Sequence, residues 1–183
     1  MGHPRRVLYA SDFSPASMAA FRHAITLAKA TGAELIIMHV LASPMPVVSE
    51  TVYVDPETWD RIFAGAQAEA HKQLEPLVAR ARDAGVQANG FIVDDAYVHP
   101  PADAIVGAAK EKEVDFLVLG THGRTGVAKF FLGSVAARVV ATAPCPVLTV
   151  RESERDSRPE RDSRPERDSR PGDAPASAPV EQR

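Results

Sequence analysis

This 183-residue sequence lacks the features that mark several common classes of protein. It contains one cysteine, Cys145, so a disulfide framework within the chain is excluded and a reducing compartment, the cytoplasm, is expected. It has no apolar run near the roughly 20 residues that span a bilayer, and no secretory leader is expected at its start. Its formal net charge of −3 gives no reason to expect nucleic acid or a membrane as a partner.

Motifs of several nucleotide-handling and hydrolytic enzymes are also missing. There is no Gly-x4-Gly-Lys-[Ser/Thr] loop of a P-loop NTPase and no Gly-x-Ser-x-Gly elbow of a serine hydrolase. The segment from Ser11 to Ser17 contains neither the His-x-Gly-His of nucleotidyltransferases nor the Ser-Gly-Gly-x-Asp-Ser of ATP pyrophosphatases. The sequence therefore assigns no catalytic residue and predicts at most slow hydrolysis of a bound nucleotide.

A charged repeat separates the end of the chain from the rest. The hexapeptide Arg-Asp-Ser-Arg-Pro-Glu occurs twice in succession over 155–166, and its first five residues return at 167–171. Val180 is the only large aliphatic residue in this part of the chain, so the segment cannot bury enough apolar surface to offset its ordering entropy. We expect one folded domain over 1–151 and a disordered tail over 152–183.

Ahead of the tail, short apolar runs alternate with segments of helical periodicity. Strands are expected at 6–9, 34–40, 86–93, 115–119 and 147–150, and helices at 15–31, 56–84, 101–112 and 134–142. Such alternation implies crossover connections and a parallel sheet that is covered by helices on both faces. The pattern predicts an α/β fold with an open five-stranded parallel sheet.

Three of the four glycines in the connection between the fourth strand and the fourth helix have a defined spacing. Gly120 is followed after two residues by Gly123, and after nine more by the pair Gly133-Ser134. Glycine lets the backbone approach an anion closely, and the unpaired N–H groups of a helix N-terminus attract it. The pattern predicts a phosphate site, with ordinary turn glycines as the alternative. Ser134 is expected to be both the N-cap of the helix and a phosphate ligand.

The spacing Gly-x2-Gly-x9-Gly-Ser resembles the ATP-binding signature of the universal stress protein family. The run Val7–Ser14 resembles the first strand of that family with its Asp-bearing turn, Val114–Gly120 resembles its fourth strand, and Ala143–Val150 resembles its closing strand. Together these segments span 5–151 in the expected order. The resemblance implies a Rossmann-like fold of the adenine nucleotide alpha hydrolase type, strand order 3-2-1-4-5, and ATP as ligand, with or without Mg²⁺.

That strand order places the first and fourth strands side by side, and ligands of such sheets bind at their carboxyl ends. The resemblance implies that Asp12 contacts ribose or adenine and that Val40 contacts adenine; a helix-capping turn and plain core packing are the respective alternatives. For Arg124 a solvated charge is the alternative to a triphosphate contact. The candidate nucleotide-binding residues are Ala10, Ser11, Asp12, Val40, Leu119, Gly120, Gly123, Arg124, Gly133, Ser134, Val135 and Ala136.

The resemblance also implies a function, an ATP-binding sensor or regulatory protein of the stress response. Two alternatives stay open: a weak ATPase or phosphotransfer enzyme that uses Asp12 as base with Mg²⁺, and a dimeric scaffold that needs no nucleotide. A homodimer is expected through Val147–Val150, because this strand lies at a sheet edge and carries no charge. His39, inside an apolar strand, is interpreted as a hydrogen-bonded residue of the core or the crevice rather than a ligand.

Overall fold

The computed structural model of the protein describes residues 3–41, 55–94, 100–121 and 132–151. Within these ranges five strands alternate with four helices. In chain order they are β1 (Arg6–Ser11), α1 (Pro15–Thr31), β2 (Glu34–Val40), α2 (Pro56–Asp83), β3 (Ala88–Val93), α3 (Pro101–Glu111), β4 (Phe116–Gly120), α4 (Ser134–Thr142) and β5 (Val147–Val150). None of the helices in the described ranges is both long and apolar enough to cross a membrane.

The five strands form one parallel sheet in the order β3-β2-β1-β4-β5, which confirms the expected fold class and strand order. The helices α1 and α2 pack on one face of the sheet and α3 and α4 on the other. Side chains of the central strand are buried on both faces of the sheet: Tyr9 of β1 is buried against α1, whereas Leu8 is buried on the α3 side. Continuous apolar runs are therefore typical of such strands.

Glycine residues end the two helices that cover the first face. Gly32 follows α1 with a φ of 69°, and its N–H donates to the carbonyl of Ala28. Gly85 has a φ of 82° and follows α2, where the N–H of Val86 donates to Ala81 O at 3.1 Å. These left-handed residues satisfy the last carbonyls of each helix.

The observed strand bounds differ from the sequence-based ones for three strands, of which the fourth is shifted by one residue, from 115–119 to Phe116–Gly120. The third strand begins at Ala88 rather than at residue 86, because the Val86 N–H is used to close the end of α2. The first strand continues to Ser11, two residues beyond the expected end, because parallel pairing with β2 extends to the pair Ser11 and His39. The change at β1 comes from pairing with a strand that is distant in sequence, whereas the change at β3 comes from the hydrogen bond that ends the preceding helix.

Gly120 allows the start of α1 to lie against the end of β4. A Cβ atom at position 120 would lie 3.0 Å from the carbonyl carbon of Ala16 and 3.0 Å from the amide nitrogen of Ser17. We expect Gly120→Ala to lower the free energy of unfolding by about 1–3 kcal/mol, because overpacking against a backbone cannot be relieved by rotating a side chain. Urea unfolding measures the change.

Gly107 gives the matched control for this substitution. It lies in α3, is exposed, and has nothing within 4 Å of the position of an added Cβ. Gly107→Ala is expected to raise the free energy of unfolding by up to about 1 kcal/mol, since alanine is the better helix former. Equal effects of the two substitutions would contradict the close contact between Gly120 and α1.

Candidate functional site

A crevice lies where the winding of the sheet reverses, between the carboxyl ends of β1 and β4. These strands are neighbours, with Ala10 of β1 opposite Leu119 of β4. Asp12 follows β1 and Thr121 follows β4, so the two segments leave the same edge of the sheet next to each other. Ligands of open α/β sheets bind at this point.

The N-terminus of α4 lies at this crevice and has no side-chain cap. Gly133 is the N-cap, with a φ of −59° and a ψ of 152°, and its carbonyl accepts the first hydrogen bond of the helix, from Ala137 N–H at 2.8 Å. The N–H groups of the first helical residues, Ser134, Val135 and Ala136, have no acceptor inside a helix. Backbone donors and the positive end of the helix dipole are thereby offered to an anion.

The expectation that Ser134 is the N-cap is therefore wrong by one residue. Gly133 takes the extended N-cap conformation, and Ser134 is the first residue of α4. The physical reason is a tertiary contact, because the Gly133 N–H donates to the carbonyl of Thr121 at 2.8 Å. The exposed Ser134 side chain stands beside the uncapped N–H groups instead of covering them.

Thr121 connects three parts of the site through its backbone. Its N–H donates to the carbonyl of Val150 at the end of β5, at 2.8 Å, and its carbonyl accepts from Gly133. The described residues on either side of 122–131 are thus held next to each other. Two candidate residues in it, Gly123 and Arg124, lie outside the described residues.

Asp12 starts α1 through a turn. Its Oδ1 accepts from the backbone N–H of Ser14 at 3.0 Å and from the Ser14 hydroxyl at 2.7 Å. Ser14 is the N-cap of α1, and its Oγ accepts from the Ser17 N–H. The turn role that the sequence left open for Asp12 is thus present, and it holds the carboxylate at the crevice.

Ser11 presents its side chain to the core rather than to the crevice. Its hydroxyl lies 3.1 Å from the hydroxyl of Tyr9 and 3.2 Å from that of Ser17, and the Tyr9 hydroxyl also donates to the Ser17 carbonyl at 2.7 Å. Burial raises the pKa of Tyr9 to about 12, and the hydrogen bonds with the two serines oppose the rise. Ser11 could therefore contact a ligand only through its backbone.

His39 and Phe13 form a layer beneath the Asp12 turn. The Nδ1 atom of His39 lies 2.7 Å from the carbonyl oxygen of Ser11, and its ring is stacked on Phe13 with 4.4 Å between ring centroids. Phe13 has a φ of 63°, a left-handed conformation that costs roughly 1–2 kcal/mol in a residue with a side chain. His39 is buried and hydrogen-bonded, as expected for a residue of the core or the crevice, whereas Phe13 was missed because nothing local marks it.

Apolar residues form the other wall of the crevice. Ala10 and Leu119 are buried on the face covered by α3 and α4, and Val40, at the end of β2, is partly buried against the same cluster. The structure thus brings Val40, Ala10 and Leu119 to one side of the carboxyl edge. This wall fits a planar apolar group better than a charged one.

No group of three or more metal-ligating side chains occurs within the described ranges. Cys145 is half-buried, and burial, followed by the charge of Asp115, raises the pKa of its thiol. A raised pKa keeps the thiol protonated, so Cys145 does not have the character of a reactive cysteine.

Comparisons with known proteins agree with this geometry. A model of the universal stress protein family matches residues 3–151. Universal stress protein YxiE of Bacillus subtilis is 36% identical over 149 residues, which are 80% of this chain and 98% of that protein. The structure of protein MJ0577 of Methanocaldococcus jannaschii gives a TM-score of 0.70 at 26% identity, over 82% of this chain and 98% of that one. A universal stress protein in complex with cAMP gives 0.58 at 27% identity, over 82% and 98%.

Proposed function

The chain belongs to the universal stress protein family, and from this premise we propose that it binds ATP in the crevice between β1 and β4 and acts as a nucleotide-dependent sensor or regulatory protein of the stress response. The observation that carries the proposal is the N-terminus of α4, which meets the crevice with Gly133 as a cap that has no side chain. The cAMP complex of a similar protein supports an adenine nucleotide as the ligand.

Two helices begin near the crevice, and their N-termini differ in a way that orients the ligand. The N-terminus of α1 is closed by the Ser14 hydroxyl and lies beside the Asp12 carboxylate, which repels phosphate. The N-terminus of α4 has no side-chain cap and attracts phosphate. We therefore place the phosphates at Ser134, Val135 and Ala136.

The other end of the nucleotide then lies toward β1 and β2. Asp12, as an acceptor of hydrogen bonds, suits ribose hydroxyls, and the partly buried Val40 suits the adenine ring. Mg²⁺, where present, would be held by the phosphates. Among the described residues that we place at the site, Asp12 supplies the carboxylate.

The nucleotide released from purified, heat-denatured protein, identified by mass spectrometry, tests this proposal. We expect an adenine nucleotide, and we expect calorimetry with added ATP to show binding that Asp12→Ala weakens by about tenfold, the value of one lost charge-assisted hydrogen bond. Absence of binding to ATP, ADP and AMP at millimolar concentration would show that the crevice is not a nucleotide site.

A single-turnover assay separates the sensor from the weak ATPase. Protein in excess over radiolabelled ATP and Mg²⁺ is expected to leave the nucleotide intact while it stays bound. Release of phosphate that Asp12→Asn removes, without loss of ATP binding, would favour the enzyme instead, because a catalytic base acts on the chemical step.

We also propose that the protein forms a homodimer through β5. This strand pairs only with β4 among the described strands. The carbonyl of Pro146, directly before β5, accepts from Leu117 of β4, and the carbonyl of Val150 accepts from Thr121, directly after β4, so every second residue of β5 faces inward. The alternate residues, Val147 and Thr149, direct their N–H and C=O groups to the open edge.

Exposed apolar side chains surround this open edge. Five large apolar residues are exposed in the described ranges, and four of them lie on β5, on α4 or directly before α4. They are Leu132, Val135, Val140 and Leu148. Apolar side chains that flank an unpaired strand are a signature of an association surface.

A further inference from the structure

We propose that His39 is a positioning residue for the nucleotide site, which sets the Asp12 carboxylate by holding the residues on both sides of it. Its imidazole donates to the Ser11 carbonyl and is stacked on the Phe13 ring. Ser11 and Phe13 are the neighbours of Asp12 in the chain. This inference rests on the proposed function, since it concerns how the same crevice is organised.

The hydrogen bond shows which ring nitrogen of His39 is the donor. A carbonyl oxygen can only accept, so the Nδ1 atom that lies 2.7 Å from Ser11 O carries the hydrogen. His39 is also the register partner of Ser11 in the pairing of β1 with β2. The bond therefore closes the end of the sheet at the residue where the chain leaves β1 for the Asp12 turn.

The stacked ring explains how Phe13 is kept in its unusual backbone conformation. Phe13 has a φ of 63°, a region that residues with a side chain seldom occupy without support from the surrounding structure. Its N–H donates to the Ser11 hydroxyl at 3.2 Å, and its ring lies on His39 at an interplanar angle of 30°. With both neighbours held in this way, the direction of the Asp12 side chain is set before a ligand arrives.

Two amide substitutions separate the Nδ1 bond from general polarity. In His39→Asn the amide nitrogen stands one bond beyond Cγ, as Nδ1 does, whereas in His39→Gln it stands where Nε2 was. We expect His39→Gln to weaken ATP binding by about tenfold and His39→Asn by no more than about threefold, since one hydrogen bond corresponds to that difference. Equal affinities of the two variants would overturn the proposal.

A double-mutant cycle with Asp12→Ala shows whether His39 acts through Asp12. If it does, the loss caused by His39→Gln disappears when Asp12 is already alanine, because coupled residues are not additive. The same loss in both backgrounds would mean that His39 affects the crevice in some other way, and the proposal would be wrong. Thermal midpoints of all variants are measured alongside, because a general loss of structure would appear there.

Phe13→Leu provides a second variant in case His39→Gln does not fold. It removes the stacked ring from the opposite side of the turn and leaves His39 in place. A loss of about threefold in ATP affinity that vanishes in the Asp12→Ala background is expected. A wild-type protein that binds no adenine nucleotide would instead refute the proposed function, an outcome that is distinct from every result of the cycle.

Discussion

Replacement of Gly133 by valine is expected to lower the affinity for ATP by at least about 100-fold, or roughly 2.7 kcal/mol. Gly133 is the N-cap of α4, and its missing side chain leaves the N–H groups of Ser134 and Val135 open to an anion. A β-branched side chain at this cap would occupy the space that a phosphate needs. The φ of −59° is accessible to valine, so the fold itself should tolerate the change. Calorimetric titration with ATP measures the loss.

Gly65→Val provides the matched control for this substitution. Gly65 lies in α2, is exposed, and has nothing within 4 Å of the position of an added Cβ. The same change there should leave ATP affinity unaltered. Gly133→Ala should have an ATP affinity between that of the wild type and that of the Gly133→Val variant. Unchanged binding by Gly133→Val, with a normal thermal midpoint, would show that the phosphates do not lie at the start of α4.

Much of the fold was accessible from the sequence because fully buried parallel strands appear as short apolar runs. Val7 to Ala10 is such a run, and glycines at 32 and 85 mark where helices end. The end of the first strand was wrong because it depends on a partner far along the chain, His39, which pairs with Ser11. Val86 is excluded from β3 because its N–H bonds to Ala81 of α2, which is part of the way the helix ends at Gly85.

The candidate site was predictable only in part, for a related reason. The glycine spacing correctly indicated a helix that begins at residue 134, but a hydrogen bond from Gly133 to Thr121 decided which residue is the cap. Gly120 was interpreted as a phosphate glycine, and the structure adds a packing reason, the close approach of α1. Periodicity and motif spacing describe neighbours in sequence, whereas these contacts join residues that are far apart.

The hydrogen-bonded layer under the crevice shows the same limit. Tyr9 lies in an apolar run, and only its buried hydroxyl indicates that polar partners are required. Those partners, Ser11 and Ser17, lie on different elements. Phe13 carries no local signal for a left-handed backbone, because glycine and asparagine are the residues that usually mark one. Such features become visible once the sheet and α1 are assembled.

The second large effect is expected at the open edge of the sheet, where Thr149→Pro should weaken the proposed dimer by at least about 100-fold. The Thr149 N–H points away from β4, so proline removes a donor that only a second chain would use. Two copies related by a two-fold axis pair β5 antiparallel with itself, so each substitution acts twice in the interface. Sedimentation equilibrium measures the dissociation constant.

Thr149→Val is the control, because it keeps the N–H and the β-branched shape and should leave the dimer intact. ATP affinity should be the same in the proline variant as in the wild type, since the inward bonds from Leu117 to Pro146 and from Thr121 to Val150 do not involve residue 149. A wild-type protein that sediments as a monomer at micromolar concentration would exclude the dimer. If Thr149→Pro leaves the dimer unchanged, the interface is not at β5, and the exposed apolar side chains of α4, such as Val140, become the candidate interface.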